Sequence, residues 1–135
     1  MSGRVLTVRQ LNRATLARQL LLERRRLSAK AVIERLVGVQ AQLPQSPYIG
    51  IWTRTTSFRR GTLERELRDG AVVKATVMRQ TLHLVTRRDY ALLRAALSET
   101  NFPDQSEQAK RLAPAVRALA IERPVTTAEV RAYLE

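Results

Sequence analysis

The hydrophobic positions in the first part of the chain repeat with the period of an α-helix. Residues 8–25 carry leucine and alanine on two sides, which predicts a first helix packed between neighbouring elements. Ser28 precedes a second apolar stripe and is expected to cap its helix. The stripe comprises Val32, Leu36, Val39 and Leu43. We expect this helix to end near Gln42 or Leu43, because Pro44 disfavours helix at the residue before it.

Two further helices and a pair of strands follow. Ser46 and Pro47 predict the start of a third helix, with serine as the cap and proline at the first helical position. A short fourth helix is predicted over residues 61–69, capped by its first or second residue. The β-rich runs at 72–77 and 81–85 flank a three-residue turn and therefore predict a hairpin.

In the hairpin and the last third of the chain, the sequence predicts which side chains face inward and where helices begin. Alternation would turn Leu82 and Leu84 inward and leave His83 on the other face of the hairpin. Two capping-box patterns, which predict helix starts, begin at Thr86 and at Thr126. Between them, a helix opened by Pro103 and Asp104 is expected to break or kink at Pro114.

Three helices followed by a hairpin form the order of a winged helix-turn-helix, so the expected fold class is mainly α with a small β-hairpin. In such folds the third helix of the domain, which here is the predicted helix at residues 61–69, usually enters the major groove. Here that helix carries Glu64, Glu66 and Asp69, which would repel phosphate. The expected domains are residues 1–98, an N-terminal helix plus a first winged-helix domain; 99–124, a linker helix; and 125–135, the start of an incomplete second winged-helix domain.

Composition removes several classes of chemistry. The chain has no cysteine, which excludes disulfides, a cysteine nucleophile and thiolate zinc sites. It has one histidine and no carboxylate cluster with ligand spacing, so neither a metal nor another cofactor is expected. No apolar run is long enough to cross a membrane and no secretory signal is present. A cytoplasmic protein, associated with the nucleoid in a bacterium, is the expectation.

The charge of the chain is strongly positive and uneven. Its 24 basic and 12 acidic residues give a net charge of +12. Residues 1–60 hold 12 basic and 2 acidic residues, whereas residues 61–135 hold 12 and 10. Almost all the basic residues are arginine, whose guanidinium can fork onto two phosphate oxygens. A coding bias would explain arginine over lysine but not the scarcity of acids in the first sixty residues, so DNA is the expected partner.

Three glutamines, Gln40, Gln42 and Gln45, lie at the predicted corner between two helices. At helical spacing Gln40 borders the apolar side, whereas Gln42 points nearly opposite. An amide beside a core either bonds main chain across the corner or serves a ligand, and the pattern alone leaves both interpretations open. Tyr48 and Trp52 follow at helical spacing, which is more typical of core residues than of rings that stack on a base.

Three separated motifs resemble the winged-helix AlkZ-like DNA glycosylases. They are LNRATLARQLLLER at 11–24, LVGVQAQLPQSPYIGIW at 36–52 and VMRQTLHLV at 77–85. The family commonly has Arg-Gly-Thr-Leu-His before the end of the hairpin, where this chain has glutamine, Gln80, in place of glycine. The resemblance implies that the chain corresponds to the N-terminal portion of such an enzyme, without the later domains that complete the DNA channel.

The resemblance also implies a reaction and a set of site residues. Family members excise alkylated bases from DNA, including N7-alkylguanines and, in some members, crosslinked bases. Their catalytic motif, glutamine-hydrophobic-glutamine, matches Gln40 and Gln42 here. An amide does not titrate at neutral pH, so the pair is expected to place a water rather than to remove a proton. The residues expected to bind DNA are Arg9, Arg13, Arg24, Arg25, Arg26, Gln45, Tyr48, Arg54, Arg59, Arg60, Arg79 and His83.

Two other interpretations remain open on the sequence. The chain can be a DNA-binding module without chemistry, or an inert, truncated winged-helix protein. Binding of DNA without release of a base would distinguish the first of these from a glycosylase. The sequence determines neither the preferred lesion nor the oligomeric state.

Overall fold

The computed structural model describes residues 5–101 and 107–134, with backbone only at 98–101, 108 and 109. The chain divides into two compact units, Met1–Asn101 and Phe102–Glu135. The described residues form mostly helices, with a small three-stranded antiparallel sheet. In chain order the elements are α1 (Val8–Arg18), α2 (Ala29–Leu36), β1 (Val39–Gln40), α3 (Ser46–Trp52), α4 (Arg60–Arg68), β2 (Val72–Thr76), β3 (Leu82–Thr86), α5 (Arg87–Asn101), α6 (Glu107–Glu122) and α7 (Thr127–Leu134).

The core of the first unit lies between its sheet and the helices α2, α3 and α4. The strand order is β1-β3-β2, so β3 is central and both of its neighbours pair with it antiparallel. Leu84 of β3 packs in the same buried cluster as Ile33 of α2 and Leu63 of α4. Val85, which alternation turns to the opposite face, is also fully buried, and α5 contacts both long strands. Both faces of the central strand are therefore covered.

The predicted helix caps are largely confirmed. The Ser28 hydroxyl accepts from the amide of Ala31 at 3.1 Å and begins α2. The Thr86 hydroxyl accepts from the amide of Asp89 at 3.1 Å, directly before α5. In the second unit the amide and hydroxyl of Thr126 donate to the Glu129 carboxylate while the Glu129 amide donates back, which is the predicted capping box.

Four predicted features of the helices are wrong. Helix α1 ends at Arg18 rather than Arg25, because Leu20 takes a left-handed conformation with φ of 57°. None of its residues is buried, so the first helix is exposed instead of packed between neighbours. Helix α3 begins one residue early, with Gln45 as the cap and no side-chain cap bond. Helix α4 begins at Arg60, also earlier than its predicted cap.

The predicted hairpin is confirmed, and its turn is left-handed at the position where the family commonly has glycine. Strands β2 and β3 pair in register from Val72 with Thr86 to Thr76 with Leu82. In the turn, Arg79 and Gln80 have φ of 52° and 56°, in the left-handed region that favours glycine. His83 lies on the face opposite Leu84, as alternation predicts, but that face is covered and the His83 side chain is only 6% exposed.

The second unit consists of α6 and α7. Pro114, the predicted site of a break or kink, lies inside α6, which continues to Glu122, so the helix does not break there. The predicted helix start at Pro103 and Asp104 lies outside the described residues. Within the described part of the chain, none of the helices has the length and apolar character needed to cross a membrane.

Candidate functional site

The path of the chain after α2 positions the first candidate residue. The helix stops at Leu36 because Val37 turns left-handed, with φ of 63°, and Gly38 follows with φ of 156°. This turn directs the chain into β1, where Gln40 lies opposite His83 of β3. The prediction that Gln40 belongs to a helix is therefore wrong. Pairing with β3 overrides the local helical pattern.

Strand geometry brings the two candidate catalytic amides to one side. Ala41 is 1% exposed and packs in the core, while Gln40 and Gln42 on either side of it are exposed. In extended chain, residues two apart share a face. The Gln40 Nε2 donates to the Gln42 Oε1 at 3.4 Å. The prediction that the two glutamines point in nearly opposite directions is therefore wrong.

The hydrogen bond between the glutamines leaves half of each amide available. Gln40 keeps its carbonyl oxygen, Oε1, and Gln42 keeps its amide nitrogen, Nε2. Neither atom has a side-chain or main-chain partner within the described residues. An acceptor and a donor are thus presented side by side at the exposed edge of the sheet, an arrangement that can hold a water.

A tight turn follows the pair and makes the predicted corner rigid. The Ser46 amide donates to the Leu43 carbonyl at 3.1 Å across Pro44 and Gln45. Gln45 has φ of −84° and ψ of −22°, the values of a type I turn with proline at its second position. The turn runs directly into α3. The corner therefore joins a strand to a helix rather than two helices.

The remaining predicted residues divide into those with internal partners and those without. Arg54 donates from Nε to the Gln19 carbonyl at 2.8 Å and from Nη1 to the Gly50 carbonyl, and burial lowers its pKa. Arg24 donates to the Thr55 carbonyl at 2.8 Å and lies 4.7 Å from the Trp52 ring centre. These two arginines hold the segment after α1 against the end of α3. Their guanidinium groups are engaged by the protein itself.

His83 also has an internal partner. Its Nδ1–H donates to the Thr81 carbonyl at 2.9 Å. Because His83 is paired with Gln40, their side chains lie next to each other on the same face of the sheet. The side chain supports the strand edge and presents little surface to a phosphate. Besides Gln40 and Gln42, the predicted site residues that are exposed are Arg9, Arg13, Arg24, Arg25, Arg26, Gln45, Arg59, Arg60 and Arg79.

Three predicted residues meet in a groove on the core side of β1. Gln45, Tyr48 and Arg60 line this groove, whose volume is about 560 Å³. Phe58 and Lys74 also line it, and sequence reasoning missed both. Lys74 lies opposite Leu84 in the sheet. A lysine inside an otherwise apolar β-rich run was the sequence signal that could have identified it.

Trp52 does not line the groove. Its side chain is 53% exposed, which contradicts its interpretation as a core residue.

The acidic side chains of α4 do not line this groove. Glu64 accepts from Nε of Arg60 at 2.7 Å. Glu66 has a buried Oε2 with no hydrogen-bond partner among the described residues. Burial raises the pKa of the Glu66 carboxyl, and the positive charge of Lys30 opposes that rise.

We expect Glu66→Gln to raise the thermal midpoint at neutral pH and to lose this advantage under acid conditions. A carboxyl whose pKa is raised by folding destabilises the folded state above that pKa. The penalty disappears as pH falls through the raised pKa and below the ordinary value of 4.5. Thermal unfolding across this pH range measures the effect. The matched control Glu64→Gln removes an exposed ion pair and should give a small loss at neutral pH.

No cluster of histidine and carboxylate side chains within residues 5–101 and 107–134 has the geometry to hold a metal ion.

Comparisons with known proteins agree on one family. The sequence model of a family described as "DNA glycosylase AlkZ-like" matches residues 33–135. Among solved structures, the chain is similar to the Streptomyces sahachiroi DNA glycosylase AlkZ, with 27% identity and a TM-score of 0.66. The match covers 82% of this chain and 30% of that one, so the chain spans less than a third of that structure. None of the curated proteins matches.

Proposed function

The chain belongs to the AlkZ-like family of DNA glycosylases, and we propose that it binds DNA and carries the catalytic pair of such an enzyme, Gln40 and Gln42. The observation that carries the proposal is the arrangement of the pair. Two neutral amides lie side by side on an exposed strand edge, with one free acceptor and one free donor. The structural alternative, in which the amide bonds main chain across the corner, is not observed among the described residues, where the two side chains hydrogen-bond only to each other.

We propose that the first unit is a winged-helix domain. The order of α2, β1, α3, α4 and the hairpin β2–β3 supports this assignment, as does the β1-β3-β2 sheet. Helix α6 then corresponds to the predicted linker helix, and α7 to the start of a second winged-helix domain.

The proposed reaction is hydrolysis of the N-glycosidic bond of an alkylated base. Gln40 and Gln42 hold a water against the anomeric carbon of the sugar, C1′. The water oxygen bonds to C1′ as the bond to the base breaks, the electron pair neutralises the cationic base, and the water proton passes to solvent. A base that already carries positive charge, such as N7-methylguanine, needs no protonation to leave.

The two amides contribute placement and electrostatics rather than proton transfer. An amide stays neutral at physiological pH, so neither glutamine acts as a general base. The partial negative charge on the Gln40 carbonyl oxygen instead faces the positive charge that develops on the sugar. Holding the water in line also removes the entropic cost of bringing it to the reacting carbon.

The exposed arginines are proposed to contact phosphate. Arg9 and Arg13 on α1, Arg26 after it and Arg59 before α4 are exposed, and the structure gives their side chains no ion pair within the described residues. Such contacts release condensed counterions, so affinity is expected to fall steeply with salt. Arg24 and Arg54 are expected to contribute less because their guanidinium groups have internal partners.

The test combines a shift assay and a base-release assay on the same duplex, with and without N7-methylguanine. Salt-dependent binding together with release of the methylated base would support the proposal. Binding without release over hours would instead support a DNA-binding module without chemistry. Failure to bind DNA at low salt would remove both interpretations.

A further inference from the structure

The groove on the core side of β1 has an apolar floor and an aromatic wall. Ala41, Leu67 and Leu84 are among its lining residues. The rings of Tyr48 and Phe58 meet edge to face, with centres 6.4 Å apart and planes at 69°. Its volume of about 560 Å³ falls within the range of pockets that hold small ligands. The groove can therefore accept one flat, apolar-faced group.

Polar groups converge on this apolar surface without partners of their own. The Gln45 amide, the Tyr48 hydroxyl and the Lys74 ammonium have no hydrogen bond or ion pair with any described residue. Arg60 donates to Glu64 through Nε only, so its terminal nitrogens have no hydrogen-bond partner among the described residues. Its guanidinium carbon lies 5.2 Å from the Tyr48 ring centre. No acidic side chain lines the groove. Two cations and two neutral polar groups thus surround an aromatic wall.

We propose that this groove binds one unpaired nucleotide of a DNA strand. The base stacks on Tyr48 or Phe58, the Gln45 amide bonds the edge of the base, and Lys74 and Arg60 bind the phosphate. Aromatic stacking combined with cations on the backbone is the usual means of holding single-stranded nucleic acid. An apolar protein segment would leave the Lys74 ammonium without counter-charge, so charge complementarity favours the nucleotide.

This inference rests on the proposed function, because a DNA substrate is what would supply the nucleotide. It adds a second site to the same corner of the fold. Ala41 lines the groove, and the exposed amides of Gln40 and Gln42 lie on the other side of the strand. A strand that crosses this edge can leave one nucleotide in the groove while its neighbour faces the glutamines.

The experiment is a titration of the chain with deoxyguanosine monophosphate, followed through backbone amide signals in NMR. We expect signals from the groove to shift, and Lys74→Gln to weaken binding about tenfold through loss of one charged contact. The matched control Lys30→Gln removes a lysine of the same unit outside the groove and should leave binding unchanged. Deoxyguanosine and inorganic phosphate alone should each bind more weakly than the nucleotide.

Several outcomes would overturn the inference. These are shifts confined to residues outside the groove, equal weakening by Lys74→Gln and Lys30→Gln, or equal binding of deoxyguanosine and its monophosphate. Groove signals that shift with protein concentration alone would instead assign the groove to a second copy of the chain. Replacing Gln40 and Gln42 by alanine should leave nucleotide binding intact. A double alanine variant that loses base release but still binds the nucleotide would show that the two sites are distinct.

Discussion

Alanine at both Gln40 and Gln42 is expected to slow release of N7-methylguanine by about a hundredfold or more, with little change in DNA affinity. The substitution removes the free acceptor and the free donor that would hold the water. It should not unfold the protein, because both side chains are exposed and their anchor is the buried Ala41. The rate of base release in single-turnover conditions gives the effect, and a shift assay reports affinity separately.

The matched control is Gln19→Ala, an exposed glutamine at the end of α1 whose main-chain carbonyl, not its side chain, accepts from Arg54. It should retain the full rate. Gln42→Glu offers a sharper test, since a carboxylate still accepts from Gln40 and adds negative charge toward the developing cation, but it removes the free donor Nε2. We expect a smaller loss of rate than in the double alanine variant. Undiminished release by the double alanine variant would show that another group performs the hydrolysis.

Alanine in place of Gly38 is expected to destabilise the first unit by about 2–3 kcal/mol. Gly38 has φ of 156°, a backbone conformation that residues with a side chain rarely adopt. A Cβ there would lie 3.1 Å from Cγ1 of Val85 and 3.2 Å from Cε of Met78. The methionine end can move, but Val85 is fully buried in the central strand. Urea unfolding, followed by circular dichroism, measures the change in free energy.

Two other glycines separate the causes of that loss. Gly70 has φ of 69° with nothing within 4 Å of its added Cβ, so Gly70→Ala should lose only the conformational part, about 1 kcal/mol. Gly61 lies in α4 with open space around it, and Gly61→Ala should gain roughly 0.5–1 kcal/mol. Equal effects at positions 38 and 70 would mean that crowding against Val85 is unimportant.

Local signals predicted the features that depend on neighbours in sequence. Ser28 and Thr126 cap their helices as expected, since a cap needs only a hydroxyl or carboxylate within three residues. The hairpin was also predictable, because both strands and the turn lie within fifteen residues. The family resemblance rested on motifs of the same local kind, and the family match supports it.

The features that failed depend on distant partners. The apolar period through Leu36 and Val39 reads as helix, yet Val39 pairs with Leu84, more than forty residues later. Nothing local reveals that this pairing wins, so the direction of Gln40 was predicted wrongly. The same limit applies to the arginines. Arg54 and Arg26 look equivalent in the sequence, but only the fold shows that Arg54 donates to the Gln19 carbonyl.

The edge strand β1 contains only two residues, and its alignment with β3 has an unusually large consequence. Because side chains along a strand alternate, a shift of one position would turn both amides into the interior and place the Ala41 methyl in water. Insertion or loss of a single residue between Gly38 and Pro44 would therefore move both glutamines of the proposed site from the surface into the interior. For the proposed site, the length of this short connection would matter as much as the identity of the glutamines.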